Sequence, residues 1–367
     1  MVFCRAAALA SGRRIGLGAG LLALGLVGCS GGGPTATAPE AGAGGDPPVA
    51  QAERPVVVAT TGVLCDLTQQ IAETTVALTC LLDPGTDPHT YQVKPSDRQA
   101  IEQADLILYD GYGFAPTLIA MVEDSATEAA RVAVYEAAVP TPLLGAAHDH
   151  GHDHGHDQDA AAHDDGHDDG HDHGAEAAAE AVPDPHIWHD AAHNAAMVAV
   201  IAERLAAANP TQADRYATNA ERLATQFNAI DGWIQTQVAT VPASARQLVT
   251  THDAFGYFAE AYGFEVKGAL TDLNADAKPT PGTLTALVEQ VKAAQVPAIF
   301  AETTTAPQLI ETVARDAGVT VAEQPLFVEG PGGPGTEAVT MQDLLVVNTC
   351  AIVEGLGGRC DRTTAPR

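Results

Sequence analysis

From Thr211 to Val241 the stretch "TQADRYATNAERLATQFNAIDGWIQTQVATV" keeps helical spacing for more than 25 residues, with Gly232 as its single internal breaker. A helix of that length is a rigid strut, and the sequence on either side of it reads alike. On the N-terminal side "RPVVVATTG" is a buried strand, "VLCDLTQQIAET" has helical spacing, and "VALTCLL" is a second strand. A breaker-rich loop, "DPGTDPHTYQVKP", leads to a helix "SDRQAIEQA" with Ser96 as its cap and Gln99 at the capping-box position. "DLILYDG" is a third strand, and "ATEAARVAVYEAAVP" continues this half. On the C-terminal side "QLVTTH", "PAIFAE" and "VTVAEQPLF" read as strands. They alternate with helices "DAFGYFAEAYG", "TPGTLTALVEQVKAAQ" (capped by Thr280 or Thr283), "PQLIETVARDAG" and "TMQDLLVVNTCAIVEGLGG". Strand–helix alternation on both sides predicts an α/β protein: two (β/α) lobes with parallel sheets, joined by the long helix. Ligands of such sheets sit beyond the carboxyl ends of strands, which points to a site in the cleft between lobes.

The domains expected are 55–146 for the N-terminal lobe, 183–243 for the first helix after an insert plus the linking helix, and 244–367 for the C-terminal lobe. Residues 1–28 read as an export signal: Arg5, Arg13 and Arg14 precede the apolar run "IGLGAGLLALGLVG", which is short for a membrane span. It ends at "LVGCS", the pattern of a bacterial lipoprotein signal cleaved before Cys29, which would then carry lipid; an ordinary secretory signal is the alternative. Residues 29–54 are rich in Gly, Pro and Ala and form a flexible tether. The chain is then exported and held at the periplasmic side of the cytoplasmic membrane by a lipid anchor alone. With Cys4 removed and Cys29 lipidated, Cys65, Cys80, Cys350 and Cys360 remain. An even count in an oxidising compartment predicts two disulfides, with three connectivities open. A four-cysteine zinc site is the competing reading, but the close pairing such sites show is missing.

The net charge of −29 argues against nucleic acid as a partner. Much of it lies in an insert, 147–182, whose core "AHDHGHDHGHDQDAAAHDDGHDDGHDHG" holds nine of the 14 histidines: His148, His150, His152, His154, His156, His163, His167, His171 and His173. The composition suits metal, but the run cannot pack a core and holds no fixed geometry. It is expected to be disordered and to bind ions weakly, as an auxiliary; a merely solvated acidic loop is the plainer alternative.

Five histidines lie elsewhere: His89, His186, His189, His193 and His252. His89 and His252 follow strands in separate halves, and His186 lies in "VPDPHIW", where prolines enforce extended chain. His189 and His193 share roughly one helix face with His186, which is either a local metal site or a polar helix side. Imidazole suits zinc, copper, nickel or iron.

From Pro55 onward the chain resembles the metal-binding lipoproteins that serve ABC importers of zinc and manganese. "GTDPHTYQVKPSD", "DLILYDGYGF", "DPHIWHDAAHNAAMV", "TTHDAFGYFAEAYG" and "IFAE" carry the likeness. The resemblance implies one metal buried between two lobes and held by His89, His186 and His252. In manganese-binding relatives the third position resembles "SEGAF", with glutamate in place of histidine. The fourth ligand is usually an aspartate in an "LYxD" context; here "LFVEGPGGPG" puts Glu329 there, a departure. Glu302, in "IFAE", is expected to make structural hydrogen bonds. Three imidazoles and one carboxylate suit Zn²⁺ as the transported ligand, with Mn²⁺ the alternative. Affinity is expected to fall in acid as imidazoles protonate near pH 6.5 or so. The expected role is capture of Zn²⁺ and delivery to an ABC permease, by a monomer and without catalysis. A zinc hydrolase would need an open position and a base, and no H-E-x-x-H motif occurs. A metal-buffering or adhesion lipoprotein is the remaining alternative.

Overall fold

The computed structural model describes residues 54–146, 181–271 and 280–366. The expected signal, tether, Cys29 and the nine insert histidines lie outside these residues. The first half forms a sheet of four parallel strands in the order β2-β1-β3-β4: β1 Val56–Ala59, β2 Ala77–Cys80, β3 Leu106–Tyr109 and β4 Ala130–Ala133. Helices α1 (Gly62–Ala72), α2 (Pro95–Glu102), α3 (Pro116–Glu123) and α4 (Val134–Ala138) flank it. The central strands β1 and β3 are continuous apolar runs because both faces are covered, while the edge strands β2 and β4 are partly exposed.

Strands β5 (Leu144–Ala146) and β6 (Ala181–Pro183) pair antiparallel, Leu144 opposite Pro183, and so form the neck of the insert. Three residues after β6 comes His186. The expected helix does not start there. Ile187–His189 make a separate 3-10 turn, and helix α5 runs Ala191–Ala208 with the Asp190 side chain accepting from the Ala192 N–H at 2.8 Å. His186, His189 and His193 therefore do not share one regular helix face. The reason is local: Asp190 is the better cap, and Pro185 forbids helix before it.

Helix α6, Ala213–Val238, is the predicted strut, 26 residues long and unbroken at Gly232. Its buried stripe, Tyr216, Leu223, Phe227, Ile230 and Ile234, packs on α5. In the second half β7 (Gln247–His252) and β8 (Glu265–Thr271) pair in parallel, as do β9 (Ala298–Ile299) and β10 (Thr320–Val321). The Phe300 N–H donates to the Val249 carbonyl at 2.9 Å and joins the two pairs. Helices α7 (Gly256–Tyr262), α8 (Pro281–Ala294), α9 (Gln308–Ala317) and α10 (Met341–Gly355) complete it. The two-lobe α/β architecture is the one anticipated, and one apolar core runs from β1 through α5 and α6 to α10.

Several details differ from the sequence reading. Helix α2 starts at Pro95, capped by Lys94 rather than Ser96: proline is pre-set for the first helical position, and the Asp97 carboxylate takes the Lys94 N–H at 2.8 Å. Strands β9 and β10 are two residues each, shorter than "PAIFAE" and "VTVAEQPLF" suggested. Pro325 removes a ladder donor, and pairing resumes only as a parallel bridge between Glu302 and Leu326. Strand β8 and helix α3 have no counterpart in the reading. The cysteines pair locally, Cys65 with Cys80 and Cys350 with Cys360, at Cα separations of 5.6 and 5.2 Å. The first ties α1 to β2; the second ties α10 to the C-terminal segment. No four-cysteine site forms among the described residues. Among the described residues no helix is long and apolar enough to cross a membrane.

Candidate metal centre

Four buried side chains converge: His89, His186, His252 and Glu329, each offering one donor atom within 4.8 Å of all the others. Each arrives by a different local device. His89 sits in the loop after β2, where the Asp87 carboxylate accepts its backbone N–H at 2.9 Å and the Thr90 hydroxyl at 3.0 Å. His186 follows β6 in the same Asp-Pro-His order, and Asp184 accepts its backbone N–H at 2.9 Å. His252 is the last residue of β7. Glu329 precedes Gly330, whose φ of 134° turns the chain in a way open only to glycine.

Hydrogen bonds behind two of the rings decide what the front can do. Asp184 Oδ1 lies 2.9 Å from His186 Nδ1, and Glu302 Oε2 lies 2.9 Å from His252 Nδ1. A carboxylate only accepts, so each Nδ1 carries the proton and each Nε2 faces forward. Those two Nε2 atoms are 3.2 Å apart. Glu329 Oε1 is 3.3 Å from His252 Nε2, and Glu329 Oε2 is 3.6 Å from His89 Nε2. Lone pairs and a carboxylate so close repel unless something positive lies among them, a proton or a cation. In a tetrahedron of metal–donor bonds of about 2.0–2.1 Å the donors are about 3.3 Å apart, so the spacing fits a small divalent ion.

The protonation pattern follows from the same contacts. Burial, then the neighbouring His252, pushes His89 down to about 3. Burial, with His252, His89 and His189 adding, holds His186 well below the usual range. Burial also opposes charge on His252, but the Glu302 and Glu329 carboxylates outweigh it and lift the group to about 10. Burial, helped by Glu302 against His252, lifts Glu329 to about 8. Metal-free, the proton therefore resides on the His252–Glu329 side.

His189 and His193 stay out of the cluster. His189 is buried and stacked on Phe255 with ring centroids 4.3 Å apart, and His193 is held by the Ile187 carbonyl and Asp190. Glu302 makes the structural hydrogen bonds expected of it, two of them to His252, the backbone one at 2.8 Å. Asp184, Phe114 and Tyr257 lie within the quoted motifs, but the sequence alone gives them no role. The repeated Asp-Pro-His was the available signal for Asp184. Tyr257 takes the Leu143 N–H at 2.9 Å and donates to the Asp184 carbonyl at 3.2 Å, which clamps the insert's neck beside the site.

A family model described as "Zinc-uptake complex component A periplasmic" matches residues 57–355. The chain belongs to this family. Its members are the metal-binding lipoproteins of zinc and manganese ABC importers, solute-binding components of transport that work with a membrane permease, outside the cytoplasm. The manganese-binding lipoprotein MntA of Halalkalibacterium halodurans is 29% identical over 300 residues, 82% of this chain and 88% of that protein. The zinc-binding protein TroA of Treponema pallidum is 28% identical over 308 residues, 83% of this chain and 89% of TroA. The solved structure of that periplasmic zinc-binding protein superposes with a TM-score of 0.70 at 27% identity, over 83% of this chain and all (100%) of the other. A manganese-bound periplasmic metal-binding protein from Candidatus Liberibacter asiaticus gives a TM-score of 0.64 at 25% identity, over 82% of this chain and 99% of that one.

Two outcomes follow for this family member. Glu302→Gln keeps the fold but weakens the hold on His252, and divalent-metal affinity falls about 10–100-fold in chelator competition; a change below about twofold would remove Glu302 from the account. Metal binding must also expel the protons that the raised His252 and Glu329 retain up to about pH 10 and pH 8. Affinity therefore keeps rising between pH 7 and 8.5, where ordinary histidines near pH 6.5 or so would already have levelled off. Calorimetry in buffers of different ionisation enthalpy counts the protons released; none at pH 7 would contradict the assignment.

Proposed function

We propose that the chain captures Zn²⁺ with high affinity outside the cytoplasmic membrane and delivers it to an ABC permease for uptake. The donor set supports this reading: three imidazoles, two with carboxylates behind them, and a single carboxylate in front. Zinc accepts a nitrogen-rich, four-coordinate environment, whereas manganese favours more oxygen. His252 is the residue on which the choice turns, since a glutamate there would add the oxygen that manganese favours. Manganese uptake is the second reading, favoured by the names of relatives such as MntA. In equimolar competition on the purified protein Zn²⁺ is retained at one equivalent; displacement by Mn²⁺ would reverse the assignment.

Within this proposal His89, His186, His252 and Glu329 are the ligands, Cys29 carries the lipid, residues 29–54 tether a monomer at the periplasmic face, and residues 147–182 gather zinc loosely for the fixed site. The neck of that insert is closed by its own strands and by Tyr257, independently of the insert's contents. Deleting residues 148–173 therefore leaves one tight site and removes the weak ones in a zinc titration. Loss of tight binding would make the insert the main site.

A further inference from the structure

The three imidazoles of the centre are not held alike. Behind His186 stands Asp184 and behind His252 stands Glu302, each carboxylate binding both the ring Nδ1 and the backbone N–H of its histidine. His89 is held through its backbone alone, by Asp87. Among the described residues no protein group hydrogen-bonds either of its ring nitrogens, although the residue is only 3% exposed.

Apart from the other two imidazoles, the ring that meets His89 is Phe114, perpendicular to it with centroids 5.1 Å apart and planes at 90°; Phe114 also stands nearly perpendicular to His186, at 5.8 Å. Phe114 is itself fixed with care. It follows the turn Gly111-Tyr112-Gly113, in which all three residues take positive φ, 98°, 52° and 73°. Tyr112 is a non-glycine residue in that region, and such strain persists only where the surroundings impose it. Here the Tyr112 N–H donates to Glu136 at 3.2 Å and its hydroxyl to the Val139 carbonyl at 2.6 Å. Asp110, fully buried, accepts from the Thr60 hydroxyl at 2.8 Å and the Ala115 N–H at 2.9 Å. A braced turn thus delivers an aromatic ring to a histidine whose own ring no carboxylate hydrogen-bonds.

An aromatic edge restrains tilt. It neither fixes the tautomer nor strengthens the forward nitrogen as a charged hydrogen bond does. We propose that His89 is the labile ligand of the centre, last to close on the ion and first to leave, with Phe114 as its positioning residue. The inference rests on the ligand assignment above. His186, His252 and Glu329 form a platform that keeps the ion while His89 exchanges its bond for one to water. A carrier that must hold its cargo tightly and still surrender it needs one ligand of this kind.

The test compares His89→Gln, His186→Gln, His252→Gln and Phe114→Leu in the full mature chain. Equilibrium zinc affinity comes from chelator competition, and release from stopped-flow transfer of Zn²⁺ to excess chelator. Circular dichroism verifies the fold, and Co²⁺ absorption reports coordination number. His89→Gln is expected to bind one Zn²⁺ still, about tenfold or more tighter than either other histidine variant, and to release it about tenfold faster than the parent. Phe114→Leu should speed release severalfold or so while the Co²⁺ spectrum stays four-coordinate, and Phe114→Tyr should restore the slow rate. Affinity loss in His89→Gln equal to that in His252→Gln overturns the proposal, as does an unchanged release rate in Phe114→Leu. If all three histidine variants bind like the parent, the ligand assignment itself has failed.

Discussion

Two imidazole nitrogens held 3.2 Å apart, with a carboxylate oxygen 3.3 Å from one of them, set the terms for the rest of this structure. Such a group of donors is stable only around a positive charge. The fold must therefore supply the force that keeps them together, and it does so from behind. Asp184 and Glu302 grip the two histidines by ring and backbone at once, so a ring that swings out breaks its Nδ1 hydrogen bond while the backbone bond keeps the carboxylate in place. Those carboxylates are fixed in turn by covalent and ladder constraints. Asp184 leaves the β5–β6 neck directly. Glu302 lies where the strand after Ile299 rejoins the sheet through its bridge to Leu326.

Burial gives this arrangement its consequence. Asp184 and Glu329 are nearly inaccessible, and carboxylates in such surroundings resist ionisation unless countercharge is close. A divalent ion supplies that countercharge at the one point all the donors face. Without it, protons must serve, and the raised His252 and Glu329 mark where they reside. Metal capture is then an exchange of buried protons for a buried ion. The same low-dielectric setting that penalises the empty carboxylates strengthens every contact to the ion.

The parts of the fold legible in the sequence were those with strong periodicity. The 26-residue helix α6 and the alternation on either side of it follow from spacing alone, because helical and strand periods differ too much to be confused over such lengths. Short elements were less visible. Strands β9 and β10 depend on what lies beside them, and Pro325 interrupts the run that suggested a longer β10. At the centre, the histidines stood out once the insert was set aside, because so few others remained. Their partners did not. Asp184 backs His186 from only two residues away, and the repeated Asp-Pro-His is its one sequence signal, whereas Phe114 meets His89 from 25 residues away through the path of a turn that spacing does not disclose. His189 shows the opposite hazard, a histidine well placed in sequence that the fold commits to stacking on Phe255.

The glutamate at position 329 is the clearest departure from the aspartate that the family resemblance implies, and the local packing shows how it is accommodated. Gly330 lies beside α1: a Cβ built on it would stand 3.4 Å from both the Val63 side chain and the Val63 amide nitrogen, about van der Waals contact. From this backbone position the Glu329 side chain reaches the histidines. The extra methylene lets the two oxygens separate their tasks, one 3.6 Å from His89 Nε2 and the other 3.3 Å from His252 Nε2. Glu329 thus spans the loosely held histidine and the most firmly held one. Its reach toward both brings a carboxylate to the three imidazoles and completes the set of four donors.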